Sequence, residues 1–435
     1  MKLFFYLSIV SSFVLLASRA HEQAALNEAL ASETSITELV HEAVSNNPEL
    51  AFYRAEISAA KGERKTAGTR PNPDAEFELG RKQSRPKGGG LSDEGMAWSV
   101  SVSQSFEWPN RLALRKAIAN RQIDLAEIGL ARFQRELQNE VQRAAFKLLI
   151  AQEKREATLR VAQRGEELIQ ALLQRESAGT SPLLETRIIE ANILTLKRRA
   201  NEAAKAAESA LLEVNQLRGK PIGEPLKIAP VKLRFPALDD RETFVALART
   251  NSFEIKSKVM ELEQQGLKVD LAKNERYPAF TVRPFYSEED AQDHEQKAGV
   301  GVSVPLPLWN RNKGNIDAAK ARFEQAQVSL AVTQRNIEKQ ARENLGSYAI
   351  DQREIARWQK NVLEQLREAA ELADRHYRLG SVSVSTYVEM QEKYLEGMDA
   401  VLSTQADALG ALQNIERLAG APLGNVIEAG AANAR

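Results

Sequence analysis

Cysteine is absent from the 435 residues, which excludes disulfides, thiolate metal sites, cysteine nucleophiles and an acylated N-terminal cysteine. An excess of charge is absent too. Lys and Arg together number 59 and so do Asp and Glu, leaving no basic footprint for nucleic acid and no polyacidic tail. The four histidines, His21, His41, His294 and His376, lack the i, i+4 spacing of a helical metal site, and the five methionines form no cluster. Gly88, Gly89 and Gly90 are not followed by the lysine and hydroxyl residue of a phosphate loop. No catalytic constellation, cofactor motif or fixed metal site emerges, so the reading is of a protein that is not an enzyme.

Long apolar runs are confined to the start. Lys2 precedes an apolar stretch from Leu3 to Ala17, and Ser18-Arg19-Ala20 has the small residues of a signal-peptidase site, so residues 1–20 read as a cleavable signal peptide. The alternative, a membrane anchor, needs about 20 apolar residues. No later segment reads as a spanning helix. If the exported chain meets a membrane, it does so with strands.

What the sequence does contain is a duplication. In the stretch Gly299 to Asn315, residues Val300, Val302, Val304, Leu306 and Leu308 alternate with the period of a strand that has one apolar face. A proline-free run from Lys313 to Arg378 follows and predicts one uninterrupted helix of about 100 Å. About 200 residues earlier, Trp98, Val100, Val102 and Phe106 alternate in the same way and feed a second proline-free run, Arg111 to Ala178. Within that run Leu137, Val141, Ala144, Leu148 and Ala151 alternate spacings of four and three, a narrow stripe suited to packing long helices together.

Each half reads as a helix, two strands and a long helical hairpin. The first repeat is assigned to 21–219, with strands at 74–81 and 96–106, a loop at Lys82 to Glu94, and a hairpin at 111–217 that reverses near Gly179. A proline-rich linker covers 220–240. The second repeat, 241–420, has a helix from Arg241 to Lys273, strands at 279–286 and 298–308, a loop from Ser287 to Lys297, and a hairpin at 313–418 that reverses at Gly380. Residues 421–435 read as a loose tail. The fold class is therefore mainly α with a small β part.

Strands of about ten residues cross a membrane when tilted, but four strands leave two open edges that lipid cannot satisfy. Closed membrane barrels start at about eight strands, so several chains must pool theirs. A soluble periplasmic protein with strands packed on helices is the alternative.

The duplicated plan, the Asn47-Pro48-Glu49-Leu50 helix break, Arg70-Pro71-Asn72-Pro73, the Pro305 to Arg311 junction and the Tyr377 to Gly380 turn together resemble the TolC-like outer-membrane efflux proteins. The two strand-to-helix junctions are most similar to the CzcC-type heavy-metal resistance branch. This resemblance implies a homotrimer with one twelve-stranded outer-membrane β-barrel, continued by an α-helical barrel through the periplasm. It implies a periplasmic adaptor and an inner-membrane resistance-nodulation-division pump as partners, with outer-membrane lipid around the barrel. It also implies export of divalent heavy-metal cations. The adaptor-docking tips would be Gly179, Thr180 and Ser181 in the first hairpin and Arg378, Leu379, Gly380 and Ser381 in the second. Glu185 and Glu389 would sit at the periplasmic aperture, although Thr386 stands where the second half should place its acid. The alternative for these two glutamates is a solvated helix surface.

Physics alone does not separate such a duct from one for drug efflux or type I secretion. A periplasmic adaptor would have one hairpin and a compact lipoyl-like domain, which this chain lacks. The first hairpin loop is basic (Arg81, Lys82, Arg85, Lys87) and the second acidic (Glu288, Glu289, Asp290, Asp293, Glu295), so the two are expected to attract at the outer mouth. The acidic set with His294 reads as a solvated loop in preference to a metal site.

Overall fold

The computed structural model describes residues 33–84, 93–176, 183–238, 240–291, 293–358, 361–420 and 427–429. The first-half helices are α1 (Ile36–Asn46), α2 (Glu49–Ala67), α3 (Arg111–Glu176) and α4 (Leu183–Arg218); the second-half helices are α5 (Arg241–Asn251), α6 (Phe253–Asn274), α7 (Lys313–Arg357), α8 (Val362–Arg378) and α9 (Val384–Ala419). The strands are β1 (Glu33–Thr34), β2 (Asp74–Ser84), β3 (Asp93–Phe106), β4 (Lys227–Ile228), β5 (Val231–Leu233), β6 (Phe280–Ala291), β7 (Asp293–Ser303) and β8 (Ile427–Ala429). The described residues form two compact units. One takes the residues up to Ala51, Ala131–Ser252 and those from Asn336; the other takes Phe52–Leu130 and Phe253–Arg335.

In the first unit the helices bury narrow stripes. Leu137, Val141, Ala144, Leu148 and Ala151 of α3 are all buried, as their alternating spacing requires. Farther along α3, Ala157, Val161 and Ala162 meet Leu196 of α4, Ala370 of α8, and Leu395, Met398 and Leu402 of α9 in one cluster. Three alanines, Ala157, Ala162 and Ala370, stand among the larger side chains of this seam, where small residues let helices pack side by side.

The duplication is visible at two helix ends in this unit. Helix α4 stops in a Schellman motif: Gly219 N–H donates to Gln216 O (3.1 Å) and Lys220 N–H to Asn215 O (3.1 Å), with Gly219 at φ 67°. A Cβ on Gly219 would lie 2.7 Å from Asn46 O, and one on Gly420, at φ 65°, would lie 2.7 Å from Asn251 O. In both halves, then, a hairpin ends on a left-handed glycine pressed against the break between two short helices. The linker folds back as well. Lys227 and Ile228 pair in parallel with Glu33 and Thr34, and the Tyr348 hydroxyl donates to Pro236 O at 2.6 Å.

The second unit holds the four-stranded antiparallel sheet in the order β2-β3-β6-β7, with β2 and β7 at its edges. Pro284 lies inside β6, and the β3-β6 pairing skips the positions beside it, resuming at Gln104 opposite Val282. A proline has no N–H to give to the ladder.

Several sequence expectations are corrected. The run from Lys313 to Arg378 is not one helix: α7 ends at Arg357 and α8 begins at Val362. No described residue between Tyr348 and Ala370 is fully buried, and contact with the core resumes through Leu363 and Leu366 once α8 has begun. Arg241 to Lys273 is likewise two helices, broken at Ser252. Ser287 to Lys297 is mostly strand, because β6 runs to Ala291 and β7 starts at Asp293, and part of Lys82 to Glu94 extends β2 and β3. Alternation there is carried by charged residues, which an apolar pattern does not register. The last strand ends at Ser303, not 308: Pro305 and Pro307 interrupt the alternation, and Leu308 N–H turns back to Leu306 O at 2.8 Å. Within 421–435, expected to be a loose tail, Ile427–Ala429 pairs with Val231–Leu233. Residues 1–20 lie outside the described residues.

Candidate functional site

Two places hold the side chains that the sequence singles out. The first is the reversal between α8 and α9. Helix α8 closes in another Schellman motif, with Gly380 N–H donating to Tyr377 O (2.9 Å), Ser381 N–H to His376 O (2.9 Å), and Gly380 at φ 74°. The side chain of Ser383 caps α9 by accepting Thr386 N–H at 3.2 Å. Arg378 bonds Asp374 at 3.0 Å within α8, while Leu379 projects an exposed apolar side chain at the turn.

Beneath this turn, Tyr377 and Tyr387 stack with centroids 5.5 Å apart, inside a cluster that includes Leu168, Ile189 and Ile193. Burial, with the Asp374 carboxylate as the next contribution, pushes the Tyr387 phenol up to about 12. The Tyr377 hydroxyl donates to Glu185 Oε2 at 2.7 Å, joining the last turn of α8 to the first turn of α4. A carboxylate in that first turn is also favoured by the helix dipole. Glu389 is exposed on α9, and Thr386, in the position expected for an acid, serves the Ser383 cap. Gly179, Thr180 and Ser181 lie outside the described residues. Sequence reading identified Glu185 but missed its partner, since nothing local links residues 185 and 377.

The second place is the sheet with its helix junctions. Along β2, Phe77 and Leu79 point to one face and Glu76 and Glu78 to the other; the register sets Phe77 opposite Val100 and Leu79 opposite Trp98. Val282 and Val302 continue the apolar face across β6 and β7, and Phe77, Leu79, Val100, Val102, Val300 and Val302 are exposed on it. Trp98 lies 5.5 Å from Tyr286 on the same face, forming an aromatic patch. Beyond it, His294 bonds Asp290 and Glu288 on the exposed end of the hairpin. On the polar face Ser99 donates to Glu78 (3.1 Å) and Ser101 to Glu76 (3.4 Å).

The basic and acidic hairpins meet within one chain. Lys82 bonds Glu289 (2.7 Å) and Glu295 (3.4 Å), and Lys297 bonds the same two carboxylates (3.3 and 3.1 Å). Gly95 pairs with Lys82 on the intervening strand, and a Cβ there would collide with the Asp290 carbonyl, so β6 can lie close only because position 95 is glycine. Arg81 points elsewhere and bonds Glu94 (3.1 Å), and Arg85 and Lys87 lie outside the described residues.

At the inner end of the sheet both strand-to-helix junctions are tied to α6. Asn110 and Asn312 adopt left-handed backbone, φ 73° and 59°. Asn274 donates to Pro109 O (2.9 Å), Arg111 donates to Asn274 Oδ1 (3.1 Å), Asn274 O (3.1 Å) and Tyr277 O (2.6 Å), and Asn312 donates to Ala272 O (2.8 Å). Trp108 stacks on Tyr277 with centroids 4.9 Å apart.

A repeated unit of two strands and a long helical hairpin, with an amphipathic sheet, is the fold of an outer-membrane channel. The backbone superposes on the Campylobacter jejuni CmeC outer membrane channel with a TM-score of 0.73 at 14% identity, covering 88% of this chain and 85% of that one. The sequence matches the outer membrane efflux protein family over residues 39–220 and 245–421, and the chain belongs to that family. It is similar to the cobalt-zinc-cadmium resistance protein CzcC of Cupriavidus metallidurans, 23% identical over 385 residues and covering 87% of this chain and 88% of CzcC. It is also similar to the pyoverdine export outer membrane protein OpmQ of Pseudomonas aeruginosa, 22% identical over 402 residues and covering 86% and 82%.

Proposed function

We propose that three copies of this chain close a twelve-stranded barrel in the outer membrane and serve as the exit duct of a tripartite resistance-nodulation-division system, exporting divalent heavy-metal cations. The observation that carries the assembly is the sheet itself. Its edges, β2 and β7, have no partner strand among the described residues, while one face exposes large apolar side chains. A membrane accepts that apolar face but not the open edges, so edge must meet edge between copies. A signal peptide at 1–20 would deliver the chain. The tip around Arg378, Leu379, Gly380 and Ser381, with the matching turn at Gly179, Thr180 and Ser181, would dock the adaptor, and Glu185 and Glu389 would line the aperture.

Similarity to CzcC supports the metal reading, and similarity to OpmQ keeps export of an organic siderophore as the second one. Growth of a deletion strain on zinc, cobalt and cadmium, set beside detergents, dyes and siderophores, separates them. Metal sensitivity of the deletion strain, relieved by the intact gene, supports the first; organic sensitivity with normal metal tolerance overturns it. Mass measurement of the detergent-purified protein tests the trimer, and a stable monomer that needs no detergent would defeat it.

A further inference from the structure

The two faces of the sheet differ in more than polarity, because charge on the polar face is distributed unevenly along it. At the outer end Lys82 and Lys297 are interleaved with Glu289 and Glu295, so these four charges are compensated where they stand. Nearer the helices β2 sets Asp74, Glu76 and Glu78 on alternate residues of the same face. The cation that approaches them is Arg283, 3.9 Å from Glu76, and both of these side chains remain more than half exposed, at 55% and 56%. Serines supply the remaining partners: the hydroxyls of Ser99 and Ser101 donate to Glu78 and Glu76 without bringing a compensating charge.

Resting on the barrel reading above, we propose that Glu76 and Glu78 make the barrel lumen itself selective for cations, independently of any acids at the helical tip. If the apolar face meets lipid, the polar face lines the lumen. Residues two apart on a strand are about 7 Å apart, so three chains stack their acids as closely spaced rings. Rings of carboxylates around an aqueous pore favour cations. The screening length is about 10 Å at 0.1 M salt and about 30 Å at 0.01 M, so the fields of neighbouring rings merge at low salt. The clasp farther out contributes little net field because its signs cancel. Cations entering from the helical side therefore meet the uncompensated acids of β2 before they reach the clasp.

The test is the reversal potential of the purified full-length protein in planar bilayers under a potassium chloride gradient at low salt. The native channel is expected to prefer potassium over chloride by about tenfold, the lower end of the enrichment a like-charged cleft produces. In the double variant Glu76→Gln and Glu78→Gln that preference should fall at least threefold, roughly half of it on a logarithmic scale, with single-channel openings retained. The tip variant Glu185→Gln and Glu389→Gln measures separately the share of the preference that the aperture carries. Loss of selectivity in the tip variant with none in the sheet variant overturns the inference and leaves the barrel reading intact. Failure of the native protein to form any channel defeats the barrel reading and this inference with it.

Discussion

Tyr377 and Glu185, 192 positions apart in the chain, share a 2.7 Å hydrogen bond that ties one half of the duplication to the other just below the α8-α9 turn. A hydroxyl bonded to a carboxylate is worth about 1.5–3 kcal/mol. Removing it in Tyr377→Phe should leave the ring stack on Tyr387 in place while freeing the first turn of α4. Hydrogen exchange should speed up there by roughly ten- to a hundredfold, as that energy converts at 1.4 kcal/mol per decade. Equal protection in the variant and the native protein would show that packing alone holds the turn.

The paired glycines offer a second test. Ala at Gly219 or at Gly420 must hold left-handed backbone, costing about 1–2 kcal/mol, and must also move a carbonyl 2.7 Å from the new Cβ. Both substitutions should lower the thermal midpoint in detergent, and by similar amounts, since the contact is the same in both halves. A large effect at one and none at the other would argue that the two helix ends are not equivalent.

Arg111 is the hub of the first strand-to-helix junction, with bonds to Asn274 Oδ1, Asn274 O and Tyr277 O. Arg111→Met keeps most of the aliphatic stem and deletes the donors, so the loss should be about 3 kcal/mol, short of the sum of the separate bonds. Denaturant unfolding monitored by tryptophan fluorescence would report it, since Trp108 stacks on Tyr277 beside the same junction.

Two carboxylates in the helical unit should respond to pH with opposite sign. The Arg164 guanidinium, 2.9 Å from Glu371, holds that carboxyl below its usual range; its contribution is present above the unfolded value near 4.5 and is lost as pH falls through the lower folded one. Asp351 is pushed up, first by burial and then by Asp407 and Glu354, so its contribution is full below the unfolded value near 3.8 and is lost as pH rises through the folded one. Glu371→Gln should therefore destabilise at neutral pH and have little effect in acid. Asp351→Asn should stabilise at neutral pH. Thermal midpoints across pH 3 to 8 check both, and the same sign for the two variants at pH 7 would contradict the assignment.

Much of this architecture was legible without coordinates because it depends on local period. Strands that alternate, helices without proline and glycines at the turns each declare themselves within a few residues, and their recurrence about 200 residues later exposes the duplication. The four-three stripe of α3 identified residues that are buried, since a helix face is determined by spacing alone. Opposite charge on the two hairpins anticipated the contact of Lys82 with Glu289.

Local period does not announce that one helix ends at Arg357 and the next begins at Val362, since no proline or glycine stands between them. It was also silent on Ile427–Ala429, whose strand exists because Val231–Leu233 is there to pair with it. The amino-acid order by itself determined the repeat, the faces of the sheet and the glycine turn at Gly380, all properties of neighbouring residues. Only the tertiary structure decided which partners those residues meet: Glu185 with Tyr377, Gly219 with Asn46, Arg111 with Asn274. Such pairings lie far apart along the chain and become favourable only once the intervening segments are already folded, when the entropy of closing the loop between them has been met by other contacts.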